Sequence, residues 1–173
     1  MNKILKNKKE IIEYFEKGSK PKQFWKIGTE HEKFLYDLNT LEPIDYYGKK
    51  GIKSLFKLLK KKGWKEVIED KNPIALKNKG STISLEPRCQ IELSGGTVKT
   101  VHETCKQAKT YLDQLKTICI KKKLGILGIG YYPKNFKKKE GWVPKKRYLI
   151  MKKRMKMTGS HGLEMMTSTC CVQ

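Results

Sequence analysis

The chain has 173 residues, 38% of them hydrophobic. That suffices for one ordinary domain, or part of a larger one, and argues against disorder along its whole length. Lys and Arg number 39 against 17 Asp and Glu, a formal net charge of +22, yet Arg stands only at Arg88, Arg147 and Arg154. Bidentate reading of phosphate or guanine favours Arg, so the excess reads first as a solvated Lys coat and only second as a nucleic-acid footprint. No apolar run reaches the length of a membrane span, and the first thirty residues lack the order of a signal peptide, so a cytoplasmic protein is expected. Cys89, Cys105, Cys119, Cys170 and Cys171 show neither CxxC nor Cys/His spacing, which speaks against a disulfide scaffold and a zinc site.

In chain order, residues 2–17 set Ile4, Leu5, Ile11, Ile12 and Phe15 at helical spacing ahead of Gly18 and Pro21. Residues 24–36 are aromatic and β-favouring, and predict a strand. Ile52, Leu55, Phe56, Leu58 and Leu59 predict a short amphipathic helix closed by Gly63, with a strand over 64–69. Residues 73–77 and 81–86 flank Asn78-Lys79-Gly80 as a hairpin, and 90–94 supply the next strand. Thr100 and Glu103 fit a capping box, and Val101, Cys105, Ala108, Leu112, Leu115 and Cys119 continue the longest helix. Residues 124–132 read as a glycine-punctuated strand and 136–142 as a Lys-rich loop, and Pro144 suits the first turn of a helix to about Met157. Residues 162–173 alternate enough for a strand that stops with no turn or cap, so the chain is expected to be cut inside a domain.

Two acidic stretches carry the chemistry: Gly28-Thr29-Glu30-His31-Glu32 and Glu86-Pro87-Arg88-Cys89-Gln90-Ile91-Glu92. Residues two apart on a strand share a face, so Glu30 projects with Glu32 and Gln90 with Glu92. If the strands pair antiparallel, four carboxylates converge. Like charges that close are costly without a cation, and hard oxygen donors suit Mg²⁺, which would screen phosphates. The competing reading is a wet strand face whose glutamates pair with Lys. His31 should point to the opposite face as a packed histidine, and neither a GxxxxGK[ST] loop nor a helix-opening GxGxxG is present.

Taken together, Ile27-Gly28-Thr29-Glu30-His31-Glu32-Lys33-Phe34, Ile83-Ser84-Leu85-Glu86-Pro87, Gln90-Ile91-Glu92-Leu93-Ser94-Gly95, His102-Glu103-Thr104-Cys105, Pro144-Lys145 with Arg147-Tyr148, and Gly162-Leu163-Glu164-Met165-Met166 form an ordered series. In that series the chain resembles the N-terminal part of the glutamate–cysteine ligases of the plant and proteobacterial type, from about residue 8 onward. The resemblance implies an α+β, glutamine-synthetase-like fold: an antiparallel sheet curved into a partial barrel with helices outside, incomplete at its C-terminus. Residues 1–173 would be the N-terminal part of a single carboxylate–amine ligase domain.

Its small-molecule substrates would be L-glutamate, L-cysteine and ATP, with Mg²⁺, and the product γ-glutamylcysteine of glutathione biosynthesis. Glu30, Glu32, Glu86 and Glu92 would be metal ligands. Gln90, Arg147, Tyr148 and Gln173 would bind substrate, with Arg147 also catalytic. Cys105 matches a position that forms a regulatory disulfide in some members, and here reads as a buried thiol on a helix face. Two departures stand out: Arg88-Cys89 replaces Gly-Gly, and Ser168 replaces Arg. By strand parity Arg88 would point with Glu86 and Glu92, where a cation should bind. The alternative function is a Lys-rich nucleic-acid-binding module in which Trp25, Tyr46, Tyr47, Tyr131, Tyr132 and Trp142 stack on bases.

Overall fold

A sheet of alternating strands organises this molecule, whose computed structural model describes residues 4–133 and 141–171. Six strands, β1 (Glu30–Asp37), β2 (Lys65–Glu69), β3 (Asn72–Asn78), β4 (Ser81–Leu85), β5 (Ile91–Ser94) and β6 (Leu124–Leu127), form one antiparallel sheet. Their spatial order is β2-β3-β4-β5-β1-β6. The sheet is open, with β2 and β6 at its edges, and does not close into a barrel.

One face of the sheet carries the main core, and a smaller cluster of Phe34, Tyr132 and Cys170 lies on the other face at the β1 end. On the main core face Leu35, Leu76, Ile83, Leu85, Ile91 and Leu93 are all buried, against helix α2 (Ile52–Lys60) and helix α3 (Val101–Lys122). From α2 come Ile52, Leu55, Phe56 and Leu59; from α3 come Tyr111, Leu115, Ile118 and Cys119. The capping box forms as expected: the Glu103 N–H donates to Thr100 Oγ1 and the Thr100 N–H to Glu103 Oε2, at 3.3 and 2.9 Å. Lys79 and Gly80, with φ of 44° and 84°, make the tight β3–β4 turn, which needs left-handed backbone at both central residues.

Several elements depart from expectation. The strand predicted over 24–36 begins only at Glu30, because β5 ends opposite it at Ser94; before that, Lys22–Phe24 is a 3₁₀ turn and Ile27 makes a lone bridge to Val98. The strand predicted over 124–132 pairs with β1 only as far as Leu127, opposite Phe34. The following residues turn to the C-terminal segment instead, through a Tyr131–Thr169 bridge and a 3.0 Å bond from the Cys170 N–H to Gly130 O.

Residues 162–168 form no strand but a short helix, α5 (Gly162–Ser168), after α4 (Lys146–Met155). Among the described residues no ladder pairs with them, while the Thr167 and Thr169 hydroxyls bond back to the carbonyls of Leu163 and Met165 at 2.9 and 2.6 Å. Val172, Gln173 and residues 136–140 of the predicted Lys-rich segment lie outside the described residues. The first helix, α1 (Lys8–Gly18), is capped by Asn7 yet buries none of its residues.

On α3 the buried stripe is rotated from the predicted one. Thr104 and Tyr111 face the core, whereas Val101 and Cys105 are exposed, so Cys105 is a surface thiol and not a buried one. The polar Thr104, which satisfies its hydroxyl on the Val101 carbonyl at 2.6 Å, concealed that stripe.

Candidate functional site

The face of the sheet turned away from the core is set by register. Glu32 lies directly opposite Glu92, Ser84 opposite Glu92, and Glu30 opposite Ser94. These side chains therefore share one face, while His31 takes the other, where its buried Nε2 has no hydrogen-bond partner among the described residues. Glu32 is only 6% exposed and accepts a 2.7 Å bond from the Cys171 N–H. Glu92 Oε1 accepts from the Ser94 hydroxyl at 2.7 Å.

Glu86 follows the end of β4 and belongs to the same neighbourhood. Burial raises its carboxyl above the ordinary range, and the charges of Glu32 and Glu92 raise it further; Lys145 and Arg147 oppose this. Among the described residues, no three His, Cys, Asp or Glu side chains are drawn together as a formed metal centre. Glu32 nevertheless faces Glu92 in register, and both charges act on the buried Glu86, a crowding of hard oxygen donors that a divalent cation would relieve.

Lys145, a member of the ordered series, receives no site role from the sequence. It precedes α4, is 8% exposed, and donates from Nζ to the Leu85 carbonyl at 2.6 Å. The Tyr148 hydroxyl donates to the same carbonyl and approaches Glu86 Oε1 at 3.4 Å. Burial lowers the Lys145 ammonium from its usual range, with Glu86 resisting, and burial likewise raises the Tyr148 phenol. In a chain so rich in Lys, nothing in the composition marks this one as interior. Arg147 is exposed and lies 5.0 Å over the Tyr148 ring, where its charge reaches Glu86.

Gln90 is a bracket. Its Oε1 accepts from the Arg88 N–H at 2.9 Å and its Nε2 donates to the Thr169 carbonyl at 2.8 Å, which ties the C-terminal segment to the sheet. Ser168 is buried and its carbonyl accepts from the Tyr132 N–H at 2.9 Å.

Arg88 does not enter the acidic face. Strand parity ends at Leu85: the Glu86 N–H bonds Gln90 O, the Cys89 N–H bonds Glu86 O, and Cys89 has φ 70°, so Arg88 sits in a tight turn. It is buried beside Asp45, with Nη1 3.5 Å from Oδ1, and a Cβ on Gly141 would overlap both side chains. Of the aromatic residues suited to base stacking, Tyr46 and Tyr132 are interior, their hydroxyls bonded to the carbonyls of Pro73 and Leu41. No helix of the described residues is long and apolar enough to cross a membrane.

Comparison with known proteins gives a consistent result. The profile of Glutamate-cysteine ligase family 2 (GCS2) matches residues 26–173. The chloroplastic glutamate–cysteine ligase of Medicago truncatula is 43% identical over 167 residues, 96% of this chain and 32% of that protein. Glutamate–cysteine ligase A, chloroplastic, of Oryza sativa subsp. japonica is 42% identical over 166 residues, 96% of this chain and 33% of its own length. The Arabidopsis thaliana chloroplastic enzyme is 39% identical over 166 residues, covering 96% and 31%. The chain thus spans about a third of the length of the curated relatives it matches.

Proposed function

The chain belongs to the glutamate–cysteine ligase family, and on that premise we propose that its polar sheet face is the acidic wall of an ATP-dependent carboxylate–amine ligase site. In this reading the sheet is part of a glutamine-synthetase-like domain, and the 173 residues are the N-terminal part of that domain. The γ-carboxylate of L-glutamate takes the terminal phosphoryl group of ATP, and the amine of L-cysteine displaces phosphate to give γ-glutamylcysteine. Glu30, Glu32, Glu86 and Glu92 would hold Mg²⁺, which supplies charge neutralisation at the phosphates.

The chain's own residues do the rest. Lys145 and Tyr148 hold the end of β4, and so Glu86, by sharing the Leu85 carbonyl. Arg147, exposed at the rim, offers a guanidinium to a substrate carboxylate or phosphate. Gln90 positions the segment whose Cys171 N–H meets Glu32, and does so from within the protein, not as a substrate contact. A cytoplasmic location and little or no turnover by the 173 residues alone are part of the proposal.

The observation that carries it is the Glu32–Glu92 pair in register beside Glu86. Calorimetric titration tests it: Glu→Gln at each of the four positions should weaken Mg²⁺ binding more than about tenfold, roughly 1.4 kcal/mol. Equal affinity in all four variants would refute it.

A further inference from the structure

The polar face is not acidic throughout. Following the register across five strands, Lys65 on β2 lies opposite Lys77 on β3, Lys77 opposite Thr82 on β4, Thr82 opposite Ser94 on β5, and Ser94 opposite Glu30 on β1. Directly opposite residues of antiparallel strands share a face. One uninterrupted polar row therefore runs from two lysines to a glutamate over four strand spacings, about 19 Å at about 4.8 Å each. The neighbouring row ends the same way, with Ser84, Glu92 and Glu32.

Lys65 against Lys77 is an unfavourable cross-strand pair, because like charges directly opposite repel. Four lysines of this protein have carboxylate partners: Lys50 with Asp37, Lys60 with Glu66, Lys109 with Asp113 and Lys146 with Asp70. Among the described residues, the side chains of Lys65, Lys77 and Lys79 have no such partner. They line a groove of about 490 Å³ with Asn78, Ser81 and Thr82, whose amide and hydroxyls add donors.

We propose that this end of the face is a phosphate-binding subsite formed by Lys65, Lys77 and Thr82, and that it takes one end of a small polyphosphate whose other end lies toward the carboxylates. Point-charge ammonium groups suit phosphate oxygens, and an anion between Lys65 and Lys77 turns a repelling pair into two attractive contacts. The separation from Glu92 then divides the face into an anion end and a cation end. Identifying that polyphosphate with the triphosphate of ATP rests on the ligase reading; the subsite itself does not.

The test is titration of the 173-residue chain with inorganic tripolyphosphate in metal-free, low-salt buffer. The double variant Lys65→Met/Lys77→Met should bind at least about tenfold more weakly, whereas Lys106→Met on the exposed surface of α3 should match the unaltered chain. Tripolyphosphate should raise the thermal midpoint of the unaltered chain and not that of the double variant, whose midpoint without ligand should be no lower, since a repulsion is removed. Unchanged affinity in the double variant, or no binding to the unaltered chain, would overturn the subsite. Single-stranded RNA binding more than tenfold tighter than tripolyphosphate, and lost in the same variant, would overturn the small-ligand assignment. Mg²⁺ titration of Glu92→Gln in parallel separates the two ideas: if it fails to lose metal while the lysine variant loses phosphate, the ligase reading falls and the subsite stands.

Discussion

The two faces of one sheet divide the work of this molecule. On β5, Ile91 and Leu93 are 0% and 2% exposed and pack into the core, while Glu92 and Ser94, one residue along in each case, face away. A slip of one residue in pairing would drive carboxylates into the core and apolar chains into water, so the apolar face fixes the register that brings Glu32 opposite Glu92. The apolar face stabilises the fold and tolerates little loss of volume. The polar face holds like charges together at both ends and gains from neutralisation. Fold and chemistry are thus written in alternate residues of the same strands.

Changes on the apolar face should produce the largest losses of stability. Ile83→Ala, at a side chain with no exposure, should cost about 2–5 kcal/mol in urea unfolding and leave the electrostatics of the other face in place. Arg88→Gly sharpens the boundary between faces. Because Arg88 is buried beside Asp45, its removal should cost about 1–3 kcal/mol of stability with unchanged Mg²⁺ affinity; a gain in affinity would mean that it competes for the cation site. Thr100→Ala removes half of the α3 capping box and should lower stability by about 1 kcal/mol, again without effect on the metal.

The smallest effect is a pH dependence. Glu86 is raised in the folded state by burial and by its acidic neighbours, so the folded chain binds its proton more tightly than the unfolded chain does. That contribution is complete below the ordinary glutamate pKa and is lost as pH rises through the folded value. Glu86→Gln should therefore raise the thermal midpoint near pH 7 relative to the unaltered chain, with the difference vanishing toward pH 4; a difference that grows on acidification would reverse the assignment.

Much of this division was legible in the sequence. Alternation in Ile83-Ser84-Leu85 and Ile91-Glu92-Leu93-Ser94 placed both faces, Asn78-Lys79-Gly80 placed the hairpin, and Thr100 with Glu103 placed the start of α3. What failed depended on partners or on backbone outside the strands. Residues 162–168 have strand-like alternation, but among the described residues no strand forms a ladder with them, and α5 forms instead. Arg88 looked in-phase with Glu86 and Glu92, yet a left-handed Cys89 broke the parity. Lys145 stood in the Pro144-Lys145 piece of the ordered series without a role, and only burial and the bond to the Leu85 carbonyl place it at the site. The row from Lys65 to Glu30 required the pairing of five strands, which no local pattern reveals.

The most direct measurement compares two neighbours on β5, Glu92→Gln and Leu93→Ala, each titrated with Mg²⁺ well below its thermal midpoint and each unfolded in urea. Glu92→Gln should lose more than about tenfold in Mg²⁺ affinity while keeping its stability near pH 7, and Leu93→Ala should lose about 2–5 kcal/mol of stability while binding Mg²⁺ as the unaltered chain does. Loss of both properties in both variants, or of Mg²⁺ affinity in neither, would contradict a sheet whose two faces carry fold and chemistry separately.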